Sequence, residues 1–158
     1  MSDVSAISRP LPAFALNRDF IKLLMDSYAR TVGKALVAGT PDPVWLYTKA
    51  PFPLLSHDTQ ADPVFVYANL AAQRCFEYSW EEFIALPSRL SAEAPNREER
   101  QHLLDAVARD GFISNYRGLR IAKSGRRFWI EGGTVWELND ASGKRRGQAA
   151  LFTSCTDV

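Results

Sequence analysis

Three runs rich in β-branched and aromatic residues close the chain: FISNYRGLRIA from Phe112, RRFWIEGGTVWELN from Arg126 and GQAALFTSC from Gly147. Only Lys123-Ser124-Gly125 and Asp140-Ala141-Ser142-Gly143 break the first two junctions. Connections this short join neighbouring antiparallel strands, because a parallel crossover needs a dozen residues or more. The pattern therefore predicts a three-stranded antiparallel meander. In its middle run Phe128, Ile130, Trp136 and Leu138 share one parity, and Arg127, Glu131 and Glu137 the other. That alternation predicts a sheet buried on one face.

Upstream, Leu54-Leu55-Ser56 and Val64 to Ala68 (VFVYA) read as two more strands, with Thr59 to Pro63 turning between them. Asn69 stands ahead of LAAQRCFEY as a helix cap, and Ser79 with Glu82 has capping-box spacing. Asn96 with Glu99 repeats that spacing before a longer helix over 97–109, which Gly111 ends. The order strand, strand, three helices, three strands predicts an α+β fold: a five-stranded antiparallel sheet with helices on one face.

An amphipathic helix precedes this unit. Phe20, Leu24 and Tyr28 form its apolar stripe, and Lys22, Asp26, Arg30 and Lys34 recur opposite, with Gly39 as the stop. Pro41, Pro43, Pro51 and Pro53 bracket VWLY, which reads as a non-helical connector. The expected organisation is a flexible tail over 1–16, helix and connector over 17–53, and the α+β domain over 54–158. The apolar stripe needs a cover, either the following domain or a second copy of itself, and a homodimer is expected.

Charge narrows the partners. The formal net charge is +1, which argues against a nucleic-acid binder. From Leu54 to Asp110 five Lys/Arg face ten Asp/Glu, and from Gly111 onward eight face four. The basic side chains on the last strands read as solvated, edge-protecting charge. Cys75 and Cys155 lie far apart in no metal-binding pattern and read as small buried hydrophobes in a reducing compartment. No leader and no apolar run of membrane-spanning length stands out, so the expected location is the cytoplasm, with no membrane partner.

Together with that element order, VFVYANLAAQRCFEYSWEEF resembles a PAS domain. More specifically, the chain is similar to the MEKHLA group of PAS-like domains. The matching residues are LLMDSYARTVGKAL at 23–36, SHDTQADPVFVYAN at 56–69, FEYSWEEFIALPSRLSAE at 76–93, REER with LL at 97–104, GFISNYRGLRIAKSGRRFWIEGGTVWEL at 111–138 and GQAALF at 147–152. The resemblance implies a non-catalytic sensory or ligand-binding domain, whose ligand lies between sheet and helices. A ligand-free dimerisation module and a small enzyme stay open as alternatives. Flavin and haem are cofactors the group resembles a host for, yet no motif supports either. The stretch ALPSRLSAEAPNRE lacks the cysteine of the flavin photoreceptors, and His102 points away from the helix's apolar face.

The same helical geometry puts Arg100 near the centre of that apolar face, where a guanidinium needs a partner. Its alternatives are an internal ion pair with Glu131 or another acidic group, a side chain that snorkels to water, and an anchor for an anionic or carbonyl-bearing ligand. Tyr116 and Arg120 share a strand face, and Trp129, Trp136 and Gln148 lie on neighbouring strands. The candidate ligand-binding set is therefore Arg100, Tyr116, Arg120, Trp129, Gln148 and Asn69, with no catalytic or metal-ligating residue. His57, beside Asp58 and Asp62, reads as part of a turn-stabilising network. No nucleophile elbow, phosphate loop or dinucleotide fingerprint is present.

Overall fold

The structure, a computed structural model, describes residues 11–39 and 42–158. Most of the expected tail, residues 1–10, lies outside the described residues. Five helices run in chain order: α1 (Arg18–Val32), α2 (Pro43–Thr48), α3 (Leu70–Phe76), α4 (Trp80–Phe83) and α5 (Ala94–Asp110). Six strands complete the fold: β1 (Leu54–His57), β2 (Phe65–Ala68), β3 (Phe112–Ile121), β4 (Arg127–Asn139), β5 (Arg145–Leu151) and β6 (Ser154–Asp157). No helix among the described residues is long and apolar enough to cross a membrane.

The strands form one antiparallel sheet in the order β2-β1-β5-β4-β3. The sixth strand is new relative to the sequence reading, but it adds no sixth position. Along one edge β4 pairs with β6 through Phe128 to Glu131 and with β5 through Thr134 to Asn139. The last two strands are thus a single strand broken at Phe152 and Thr153. Gly132 sits at the matching point of β4 with φ 60, and a Cβ there would lie 2.4 Å from Thr153 Oγ1. Only glycine meets both conditions cheaply.

That kink overturns the parity reading of β4. Phe128 and Ile130 pack with Phe76 and Phe83 on the front of the sheet, whereas Trp136 and Leu138 pack with Leu24 and Tyr28 on its back. A bulge shifts the alternation by one, so residues of equal parity on either side of Gly132 face opposite ways.

Helix α1 covers the back. Its first turn is capped by Asn17, whose side chain accepts from the Phe20 N–H at 2.9 Å. It ends earlier than Gly39, at Gly33, which adopts φ 90. Tyr28 meets Trp136 edge-on with ring centroids 4.9 Å apart, and Ser27 Oγ donates to the Asn139 carbonyl at 2.9 Å. Each such buried side chain contributes about 1.5–3 kcal/mol. The apolar stripe is therefore covered by the chain's own sheet.

Other local expectations change for identifiable reasons. The VWLY segment is helical in α2, because Pro43 occupies the first turn, where its missing N–H is no loss, and Asp42 caps Val44 N at 3.0 Å. Helix α5 starts earlier than Asn96, with Glu93 at the N-cap and Pro95 in the first turn. The Ser79–Glu82 capping box forms as expected.

The two cysteines require a correction as well. Cys75, on α3, and Cys155, on β6, form a disulfide across 80 residues of sequence, with Cα atoms 6.4 Å apart. Their separation hid a contact that only the broken last strand creates. Cysteine usage therefore no longer argues for a reducing compartment.

Candidate ligand-binding cavity

Between the front of the sheet and α5 lies a small cavity that is partly open to solvent. Its apolar walls come from Leu55, Phe65, Phe76, Leu103, Ile130 and Phe152. Ser56, His57, Arg100, Tyr116, Arg120 and Gln148 add polar atoms. An apolar cleft with a few convergent polar groups suits a small molecule.

Arg100 enters from α5 and is 8% exposed. It makes no hydrogen bond or ion pair with any described residue, and burial together with the neighbouring Arg120 pulls it down to about 10. Glu131, the ion-pair partner considered from sequence, binds Arg117 Nε at 2.7 Å instead. Arg120 is 6% exposed and donates to the Leu119 carbonyl at 2.9 Å and to the Tyr116 hydroxyl at 3.2 Å. Tyr116 in turn donates to the Glu99 carboxylate, 2.7 and 3.0 Å from its two oxygens.

Backbone irregularity aims Tyr116 at these partners. Asn115 carries φ 56, and the β3–β4 register shifts on both sides of Tyr116. Bulges of this kind redirect a side chain, here across the space left by Gly118. A Cβ on Gly118 would lie 2.2 Å from the Tyr116 hydroxyl oxygen.

The far wall carries a chain of buried hydrogen bonds. His57 Nδ1 lies 2.9 Å from Ser88 Oγ, and Nε2 lies 3.2 Å from Gln148 Oε1. Gln148 Nε2 donates to the Leu104 carbonyl at 3.1 Å and to Glu137 Oε1 at 2.5 Å. Glu137 also accepts from Arg145 Nε at 2.7 Å, which brings the chain to the surface. With both amide hydrogens committed, the Gln148 oxygen must face His57, so Nε2 carries the imidazole proton and Nδ1 accepts from Ser88. Burial, with the charge of Arg100, lowers His57 to about 4 and keeps it neutral.

Four of the six candidate residues thus converge: Arg100, Tyr116, Arg120 and Gln148 all line the cavity. Asn69 does not. It is fully buried, its oxygen accepts from Leu54 N and Ala72 N, and its amide donates to the Leu46 and Phe52 carbonyls. With its whole bonding capacity spent, Asn69 is a structural hub. Trp129 faces outward beneath Arg117, whose guanidinium carbon lies 3.7 Å from the ring centroid, and Trp136 is on the back of the sheet. His102 is exposed, as its helical position predicts.

His57 is the residue sequence reasoning misplaced. The turn is built on Asp58, which accepts from Gln60 N and Val64 N, rather than around Asp62, which pairs with Arg89, while His57 turns inward. The available sign was alternation: His57 follows Leu55 by two residues and so shares its face.

Both ring nitrogens of His57 are engaged, which leaves no free imidazole nitrogen for a haem iron. Cys75 and Cys155 are bonded to each other and neither lines the cavity, so a flavin would find no thiol there.

An antiparallel sheet with helices and a partly open cleft on its front defines a PAS-like domain, the fold of many sensory modules. The family model for the MEKHLA domain matches residues 18–156, and the chain belongs to that family. Among solved structures it is similar to a PAS domain from Colwellia psychrerythraea, at 16% identity and TM-score 0.61, covering 73% of this chain and 92% of that one. It is also similar to the light-state dimer of the fungal blue-light photoreceptor Vivid, at 18% identity and TM-score 0.61, covering 91% and 97%. No curated protein matches its sequence.

Proposed function

We propose that this domain is a sensory module that binds a small molecule in the cavity between α5 and the sheet, and that it binds without transforming its ligand. The observation that carries this reading is Arg100: a guanidinium 8% exposed, lining a cavity, with no acceptor among the described residues. A buried charge without a counterpart is destabilising, and retaining one is a feature of sites whose counterpart arrives with a ligand. The rest of the polar wall is hydrogen-bonded within the protein, which leaves no group poised as nucleophile or general base. Native mass spectrometry of the purified chain, followed by a thermal-shift screen of a metabolite library, tests the reading. Retained or stabilising compounds whose effect vanishes in Arg100→Leu support it. Identical behaviour of the variant and the parent chain towards every compound would overturn it.

A second reading, homodimerisation, is favoured by one surface. Phe14, Val44 and Trp45 are large apolar side chains at 39%, 45% and 37% exposure, on the turn before α1 and on the adjoining α2. Because α1 is already covered, this patch rather than the helix stripe is the surface we assign to a partner copy. Light scattering on the parent chain and on Trp45→Glu distinguishes the cases, since a dimer that survives the substitution does not use this patch.

A further inference from the structure

The cavity holds two guanidinium groups and too few carboxylates to balance them. Arg120 bonds only neutral acceptors, the Leu119 carbonyl and the Tyr116 hydroxyl. Glu99 is the carboxylate on this side; it hydrogen-bonds Tyr116 rather than either arginine, though its charge is felt at Arg100. On the other side Glu137 is closed off by Arg145 and Gln148. His57 has both nitrogens committed. Two cations set against Glu99 leave one positive charge uncompensated among the described residues, in a site where low dielectric strengthens every charge interaction. The planar fork of Arg100, with its five N–H donors, carries that excess.

The remaining polar atoms define what the anion is. Ser56 Oγ donates to the Gln148 carbonyl at 3.0 Å, and Ser91 Oγ donates to the Ser88 carbonyl at 2.7 Å. Neither hydroxyl hydrogen is available to a ligand, so the two guanidinium groups are the donors an anion would meet. One excess charge and a flat fork match a carboxylate, which two parallel N–H groups hold bidentately. The walls beyond the fork are Phe76, Ile130 and Phe152, which have nothing to offer a polar group.

We propose that the ligand is a small monocarboxylate with an apolar body, its carboxylate on Arg100 beside Arg120 and its body against Phe76, Ile130 and Phe152. This rests on the reading of the cavity as a ligand site. Isothermal titration of the full chain at neutral pH with octanoate and phenylacetate, with octanamide and phenylacetamide as neutral matches and with inorganic phosphate, tests both levels separately. The carboxylates are expected to bind at least tenfold more tightly than their amides, and Arg100→Gln to lose that preference. Arg100→Leu is expected to melt at or above the parent temperature in the absence of ligand, so that its lost binding cannot be ascribed to unfolding. Equal affinity for acid and amide overturns the carboxylate while leaving the cavity a ligand site. Tighter binding of phosphate overturns it in favour of a dianion. Absence of binding in every arm at millimolar concentration overturns this inference and, for ligands of this size, the cavity reading with it.

Discussion

Gln148 Oε1 lies 3.2 Å from His57 Nε2, and the two acceptors on the other end of the same amide leave Gln148 no alternative orientation. His57 is therefore held as the Nε2–H tautomer, and burial beside Arg100 disfavours a second proton. Its proton affinity falls from the ordinary value of 6.5 to about 4 on folding. Between those values the unfolded chain binds more protons than the folded one, so acidification favours unfolding. Stability is expected to decline as pH drops through this window, by about 3 kcal/mol in all, and to be fully present above about pH 6.5. Urea midpoints measured along a pH series check this. His57→Gln should flatten the slope, and a slope unchanged in that variant would refute the assignment.

Gly118 gives a second prediction. A methyl group there meets the Tyr116 hydroxyl, so Gly118→Ala should displace Tyr116 from Glu99 and Arg120 and lower stability by about 1–2 kcal/mol. The penalty comes from one neighbour. In a Tyr116→Ala background the same substitution should be neutral or stabilising, since alanine outperforms glycine in an unobstructed strand. A double-mutant cycle that shows simple additivity would contradict this.

Gly147 is a stricter case. It adopts φ 145, and a Cβ would lie 2.1 Å from the His57 backbone carbonyl oxygen, which cannot swing aside without breaking the β1–β5 ladder. Gly147→Ala is expected to lose more than about 3 kcal/mol. Gly125, whose φ is 92 but whose surroundings are open, should tolerate Ala at a cost of about 1 kcal/mol. Thermal melts of the two variants side by side decide the matter.

Reducing the Cys75–Cys155 bond should lower stability by about 2–4 kcal/mol, because it releases an 80-residue loop in the unfolded chain. The comparison is denaturation with and without a phosphine reductant. A Cys75→Ala, Cys155→Ala variant should already sit at the reduced midpoint and respond no further. Coincident curves for the oxidised and reduced parent chain would rule the linkage out as a stabilising element.

Much of the architecture was legible because its determinants are local. Asn69 caps the helix that follows it, Ser79 and Glu82 form their box within one turn, and the turns at Lys123 and Asp140 need only their own residues, although α1 stops at Gly33 and not at the expected Gly39. What escaped was non-local. The Gly132 kink depends on Thr153 from another strand, and it alone sends Trp136 to the back of the sheet. The cysteine pair depends on where β6 docks. Arg100, Tyr116, Arg120 and Gln148 could be grouped from helix periodicity and strand parity. His57 could not, because an adjacent Asp58 supplied a plausible local partner, and its real partners, Ser88 and Gln148, are 31 and 91 residues away.

With α1 clamped over part of its back and helices over its front, the sheet around the cavity is closed in on both sides. A ligand that pulls on Arg100 therefore has only narrow exits through which the rest of the molecule can register its arrival. The hydrogen-bonded row from His57 through Gln148 and Glu137 to Arg145 joins the cavity wall to the surface. It surfaces at the β4–β5 hairpin, where a change deep inside would become visible to whatever touches that loop.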